Sequence, residues 1–203
     1  MKEPLSKSLK QLIDGAPPEA PTLNHLLEAT GERGLQLVIV FMALPFCLPI
    51  LPGVSTPFGL AIVFLGVRQM LNVPGRLPRF IGDREFRPET FQKVLRGGVR
   101  IVGWVEKATH PRGGDWLTTA AARRFHAFVI CLMGLLMSLP LPVPLTNTIP
   151  AWAILIIAAS TAESDGRLIW LGHLVAAGAI AYFIFVWNAV EEMARRIAVW
   201  FSG

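Results

Sequence analysis

The stretch "LPFCLPILPGVSTPFGLAIVFLG", residues 44–66, sets Pro45, Pro49, Pro52 and Pro57 inside an otherwise apolar run. An interior proline removes one backbone hydrogen bond and presses on the preceding turn, at a cost of roughly 3 kcal/mol. In a bilayer the penalty grows, because no bulk water reaches the freed carbonyls. Broken backbone at membrane depth is tolerated only where protein or a wet cavity surrounds it. Prolines at this density mark a bent helical hairpin with a role beyond plain anchoring.

A second stretch follows the same plan. "LVIVFMALPFCLPILPGVSTPFGLAIVFLG", residues 37–66, lies over "FVICLMGLLMSLPLPVPLTNTIPAWAILIIAA", residues 128–159, with Pro49 on Pro140, Pro52 on Pro144, Thr56 on Thr148 and Pro57 on Pro150. Two small insertions in the second copy complete the match, which reads as an internal repeat. The apolar runs fall at 35–51, 57–71, 125–145, 149–162 and 168–190. A full span needs about 20 apolar residues, a length that the last run reaches comfortably and 125–145 reaches only if its prolines are ignored. The expected fold is an all-α membrane protein with two repeated, proline-broken, re-entrant helical hairpins, amphipathic interfacial helices and at least one full transmembrane helix. Val40 and Ile157 are expected to face lipid.

Hydrophobic residues make up 53% of the 203-residue chain and mean hydropathy is +0.50, well above soluble averages. The opening 34 residues are polar and Pro-rich where a cleavable signal needs an apolar core, so the amino end is expected to stay in the cytoplasm. From Arg68 to Arg124 there are twelve basic residues against five acids, a net +7, while the rest of the chain carries −2. The positive-inside rule places that segment in the cytoplasm. Arg33 and Arg68 bracket the first hairpin, and Arg123, Arg124 and Arg167 the second, so both should open toward the same side. Lying between membrane segments and lacking an aromatic stacking series, the basic segment suits anionic lipid headgroups rather than nucleic acid. Within it, residues 88–110 space Phe91, Val94, Leu95, Val99, Val102 and Val105 as an interfacial amphipathic helix would.

These features divide the chain into a polar cytoplasmic segment (1–34), a first broken hairpin (35–71), a basic cytoplasmic segment (72–124), a second broken hairpin (125–162) and a transmembrane helix with an amphipathic tail (163–203). Cys47 and Cys131 lie in apolar runs without metal-ligand spacing, and His25, His110, His126 and His173 are scattered singly. No metal or other cofactor is expected.

Several spaced motifs carry a family likeness: "ATGERG" at 29–34, "ALPFCLPILPGVSTPFGLAI" at 43–62, Gln69 in "GVRQML", "PGRLPRFI" at 74–81, "LPLPVPLTNTIPAWAI" at 139–154 and "ESDG" at 163–166. In these the chain resembles the ExoD-like family of bacterial exopolysaccharide-synthesis membrane proteins. It departs from the family pattern at Thr146, where a glycine is expected, and at Arg79, where a tryptophan often stands. The resemblance implies a multi-pass inner-membrane protein linked to exopolysaccharide production and alkaline tolerance, and attaches no reaction to it.

The chemistry is therefore read from the broken segments. Helix N-termini at membrane depth offer free N–H groups and a positive dipole end to an anion. Ser55 and Thr56 stand before Pro57, Asn147 and Thr148 before Pro150, with proline expected at the first helical position. Together these four polar residues would line an anion-friendly pocket, as broken helices do in transporters; the competing reading is that they cap their own helices. Arg68 could hold a lipid phosphate together with Arg76 and Arg79, or snorkel to headgroups. Glu163 and Asp165 are ionisable groups near membrane depth, hence substrate-binding candidates, although an interfacial turn built on Gly166 accounts for them equally. His173 reads as a packed histidine or a proton relay.

No nucleophile and base stand at usable spacing, so an enzyme is not expected. The leading expectation is a small transporter or lipid-handling protein for an anionic or lipid-linked envelope substrate, or for an ion. The alternative is a non-catalytic assembly factor for an exopolysaccharide machine. With so few full spans, a homodimer is expected to shelter the broken segments. Topology is directly testable: single cysteines placed in 72–124, in a chain lacking Cys47 and Cys131, should resist an impermeant thiol reagent added to intact cells, and ready labelling would reverse the assignment.

Overall fold

The computed structural model describes residues 22, 24, 34–48, 55–73, 83, 115–141 and 143–202. Five α-helices are found among them: α1 Gly34–Ala43, α2 Ser55–Met70, α3 Ala120–Ser138, α4 Thr148–Glu163 and α5 Leu168–Ser202. Short 3-10 turns at Leu44–Phe46 and Asp115–Thr118 extend α1 and precede α3. The 88–110 helix expected from the sequence lies outside the described residues, as do Pro49 and Pro52.

Helix α4 is the axis of the fold. Pro150, Ala151, Ala153–Ser160 and Ala162 are all buried, as expected of a helix that is apolar on every side. It packs against α1, α3 and α5. Its hydroxyls fold back on their own helix, Ser160 Oγ donating to the Ile156 carbonyl at 2.6 Å and Thr161 Oγ1 to that of Ile157 at 2.8 Å. They therefore cost the apolar centre no unpaired donor. Ile157 and Val40 are both fully buried, which corrects the expectation that they face lipid: Ile157 lies against Gly172 of α5, and α1 packs on α4, so hydropathy alone misplaced them.

The closest helix contact is between α2 and α3. A Cβ added at Gly59 would lie 2.6 Å from the Gly134 carbonyl oxygen and 2.8 Å from Ser138 N, and one at Gly66 would lie 3.2 Å from the Ala127 carbonyl oxygen. Small residues spaced seven apart on α2 thus meet Ala127, Cys131, Gly134 and Ser138 on α3. Such surfaces let helix backbones touch where lipid supplies no hydrophobic drive. Cys131 is part of this seam, its thiol pointing to the Val63 carbonyl at 3.5 Å.

Prolines sit at the third position of α2 (Pro57) and of α4 (Pro150), not the first, where the missing N–H is still one of the four that a helix start leaves free. Both helices also end alike. Asn72 after α2 (φ 53°) and Ser164 after α4 (φ 57°) take left-handed backbone. The next residues, Val73 and Asp165, donate back to the carbonyls of Arg68 and Ser160 at 3.1 and 3.0 Å. The reversal after α4 therefore has its left-handed residue at Ser164, ahead of Gly166.

Helix α3, and α5 over Leu168–Met193, are each long and apolar enough to cross a membrane. α3 is continuous through Ser138 and stops just before Pro140. α5 continues unbroken into the segment read as a separate tail, where Glu191–Arg195 and Glu192–Arg196 pair one turn apart.

The glycine seam predicts opposite signs for one substitution at two sites. Gly59→Ala should lower the thermal midpoint in detergent, since overpacking against backbone costs about 1–3 kcal/mol. Gly178→Ala, with no atom within 4 Å of the added Cβ, should leave it unchanged or raise it, by up to roughly 1 kcal/mol of helix propensity.

Candidate functional site

The residues singled out in the sequence fall at two ends of the same pair of helices. Ser55, Thr56, Asn147 and Thr148 belong to the starts of α2 and α4, whereas Arg68, Glu163 and Asp165 belong to their ends. Thr56 and Arg68 stand 12 residues apart on α2 and Thr148 and Glu163 15 apart on α4, about 18–22 Å of α-helix. One small-molecule site can use one set or the other.

At the starts, the broken ends are closed across the hairpins. Thr56 Oγ1 donates to the Ser138 carbonyl at the end of α3 at 3.0 Å. Trp152 Nε1, in the first turns of α4, donates to the Cys47 carbonyl just past α1 at 3.0 Å. Next to Cys47, the Phe46 ring meets Phe58 of α2 edge to face at 5.2 Å. The first turns of α2 and α4 thus converge on the Phe46–Cys47 turn. Tyr182, halfway along α5, adds a third tie by donating to the Pro144 carbonyl in the second tip.

Ser55 is buried, while Thr56 and Thr148 are half-buried. Thr56 spends its hydroxyl on α3. Asn147 occupies the N-cap of α4 yet makes no side-chain cap hydrogen bond, and its Oδ1 is buried without a partner. The preceding turn holds Leu145 in left-handed backbone (φ 67°), a conformation that costs a non-glycine residue about 1 kcal/mol or more. Thr146 is buried and its hydroxyl donates to the Val143 carbonyl at 2.8 Å. Of the prolines here, Pro57, Pro140 and Pro144 are exposed and Pro150 is buried.

At the opposite ends, Asp165 is buried and its Oδ1 accepts from the backbone N–H of Arg167 (2.8 Å) and Leu168 (3.2 Å). It caps α5, so this oxygen is spent on the turn. Glu163, the last residue of α4, is half-buried. Arg68 is buried in the last turn of α2, where its charge faces the negative helix end. Beside it, both amide atoms of Gln69 are buried and unpartnered. Arg76 and Arg79 lie outside the described residues.

Two features were not visible in the sequence. His126 on α3 and His173 on α5 meet at 3.1 Å, and Trp152 closes the end of α1. Their partners lie 47 and 105 residues away, and no local spacing announces them.

Among the described residues the fold is all-helical, with two helices long and apolar enough to cross a membrane and hydrogen bonds that tie the ends of one helix pair to the other. The chain belongs to the ExoD family: the family profile described as "Exopolysaccharide synthesis, ExoD" matches residues 5–185. It is 33% identical to Protein ExoD of Rhizobium meliloti (strain 1021) over 199 residues, covering 97% of this chain and 83% of that one. It is 29% identical to the uncharacterized protein slr1875 of Synechocystis sp. over 161 residues, covering 76% of this chain and 74% of that one. No solved structure matches it.

The unpaired Asn147 oxygen and the paired Thr56 hydroxyl should respond differently to truncation. Thr56→Val leaves the Ser138 carbonyl without its donor and should cost about 1–3 kcal/mol of stability. Asn147→Ala removes a buried group that bonds to nothing, so its thermal midpoint should stay within about 0.5 kcal/mol of the parent or rise. Equal losses in the two variants would contradict the assignment.

Proposed function

We propose that the protein is a small inner-membrane transporter or lipid-handling protein, serving exopolysaccharide synthesis by binding an anionic or hydroxyl-bearing envelope substrate at the hairpin tips. The observation that carries this reading is Asn147: a polar side chain at the start of a buried helix, not used as a cap, with its oxygen buried and unpaired. Natural proteins rarely leave such a group unsatisfied without a purpose. Turned one way the amide accepts from a sugar hydroxyl; turned the other it donates to an anionic oxygen, beside a helix end that already favours negative charge.

The repeat is part of the same proposal. The register that lays Pro49 on Pro140 also lays Cys47 on Ser138, and these two carbonyls accept the two cross-hairpin bonds. The paired helix ends at Val73 and Asp165 support it from the other side. Two re-entrant hairpins, each entering and leaving by the cytoplasmic face, would hold the tips inside the bilayer. From Leu168 to Tyr182, which touches the second tip, α5 rises about 21 Å, so the tips would lie roughly two thirds of the way across a ~30 Å hydrocarbon core.

The assembly-factor reading has one observation of its own. Beyond Tyr182, α5 carries Ile184, Phe185, Trp187, Val190 and Met193 exposed, a surface that lipid or another protein could cover. Reconstitution separates the two readings. In liposomes holding the full chain, uptake of inorganic phosphate or flipping of a fluorescent anionic lipid should exceed that of empty vesicles. Asn147→Ala should lower the rate about tenfold, the equivalent of 1.4 kcal/mol, at unchanged insertion, and Phe185→Leu should be nearly silent. Full activity in Asn147→Ala would remove the tip site, and no transport of any anionic probe would favour assembly.

A further inference from the structure

His126 and His173 join the two helices long enough to cross a membrane, and they do so directly. His126 Nδ1 and His173 Nε2 are 3.1 Å apart. His126 is 1% exposed, and both outward nitrogens are buried; His126 Nε2 has no hydrogen-bond partner, and the backbone of Ile169 stands beside the His173 ring. The rings around the pair are aromatic. Phe125 lies 5.9 Å from His126 and 5.1 Å from His173, Trp116 5.8 Å from His126, and Trp170 6.1 Å from His173. Trp116 and Trp170 stack on each other at 6.0 Å, closing the outside of the cluster.

An N–H···N contact needs one proton donor and one lone pair. Two neutral imidazoles meet that need. So does a pair that has gained one proton, whose inner bond is then charge-assisted and stronger, and aromatic rings are neighbours that favour a single cation. A second proton removes the last inner lone pair and sets two like charges at contact distance, so the contact opens. The charged residues on neighbouring elements do not change this count. Arg123, Arg124 and Arg167 are exposed, Arg68 and Glu163 stand in the last turns of α2 and α4, Asp165 Oδ1 is bonded to the start of α5, and Asp115 opens the turn that carries Trp116.

We propose that His126 and His173 form a proton-binding site that takes up one proton between them and clasps α3 to α5 in both the neutral and the singly protonated forms. The site lies near the starts of α3 and α5, away from the hairpin tips, and does not depend on the transport reading. It gives the two longest apolar helices a joint that a change of pH strengthens once and then releases.

Nitrogen NMR of the full chain in lipid nanodiscs, labelled at histidine and assigned with His126→Gln and His173→Gln, tests it. Scalar coupling across the inner N–H···N bond is expected. On acidification the pair should gain one proton between its two rings, half the uptake of two independent rings. A full proton on each ring at separate midpoints, with no coupling, would overturn the proposal. Tryptophan emission gives a second readout that needs no histidine variant. An imidazolium beside Trp116 and Trp170 quenches them, so emission should fall as the pair charges, and the step should vanish in Trp116→Phe/Trp170→Phe. A step unchanged in that variant would equally overturn it.

Discussion

A helix that ends against its neighbours leaves carbonyls in need of donors, and here two of them are answered from the other helix pair and a third from α5. Thr56 of α2 satisfies the end of α3, and Trp152 of α4 satisfies the turn after α1. Each pair thus depends on the other, because a buried backbone group left without a partner costs about 1–3 kcal/mol. With these bonds goes the packing of α2 on α3 and of α4 on α1, α3 and α5.

Backbone proximity follows from that constraint. For Thr56 to reach Ser138, α2 and α3 must approach until Gly59 and Gly134 touch, which only residues without side chains allow. The same economy operates on α4, where serine and threonine satisfy themselves within the helix and leave every face free to pack. A helix so enclosed cannot tilt or slide without disturbing three neighbours, which makes its N-terminus a rigid place to hold Asn147.

Two ends of one pair of helices then divide the chemistry. At the starts of α2 and α4 stand Thr56, bonded to the end of α3, and Asn147 and Thr148. At the opposite ends stand Arg68, Glu163 and Asp165, and Asp165 is committed to capping α5. Family membership ties the molecule to exopolysaccharide synthesis, while the step it performs is a question for the tips.

Local chemistry made much of this legible in the sequence. Prolines marked the starts of α2 and α4 and the end of α3, because a missing N–H breaks a helix wherever it falls. Apolar runs located the five helices, and the spaced motifs identified the family. Asn147 and Thr56 were named from their place before a proline, a signal carried within a few residues. Tertiary structure alone decided what those residues touch. Val40 and Ile157 look like any apolar residue facing lipid, and only the packing of helix on helix buries them. Thr56 reads in sequence as a pocket residue or a cap of its own helix, and in the fold it donates to the end of α3. Single histidines 47 residues apart carry no mutual signal until α3 and α5 bring their rings to 3.1 Å. Sequence spacing reports what one helix can do for itself; hydrogen bonds between helices depend on distances that only the packed molecule sets.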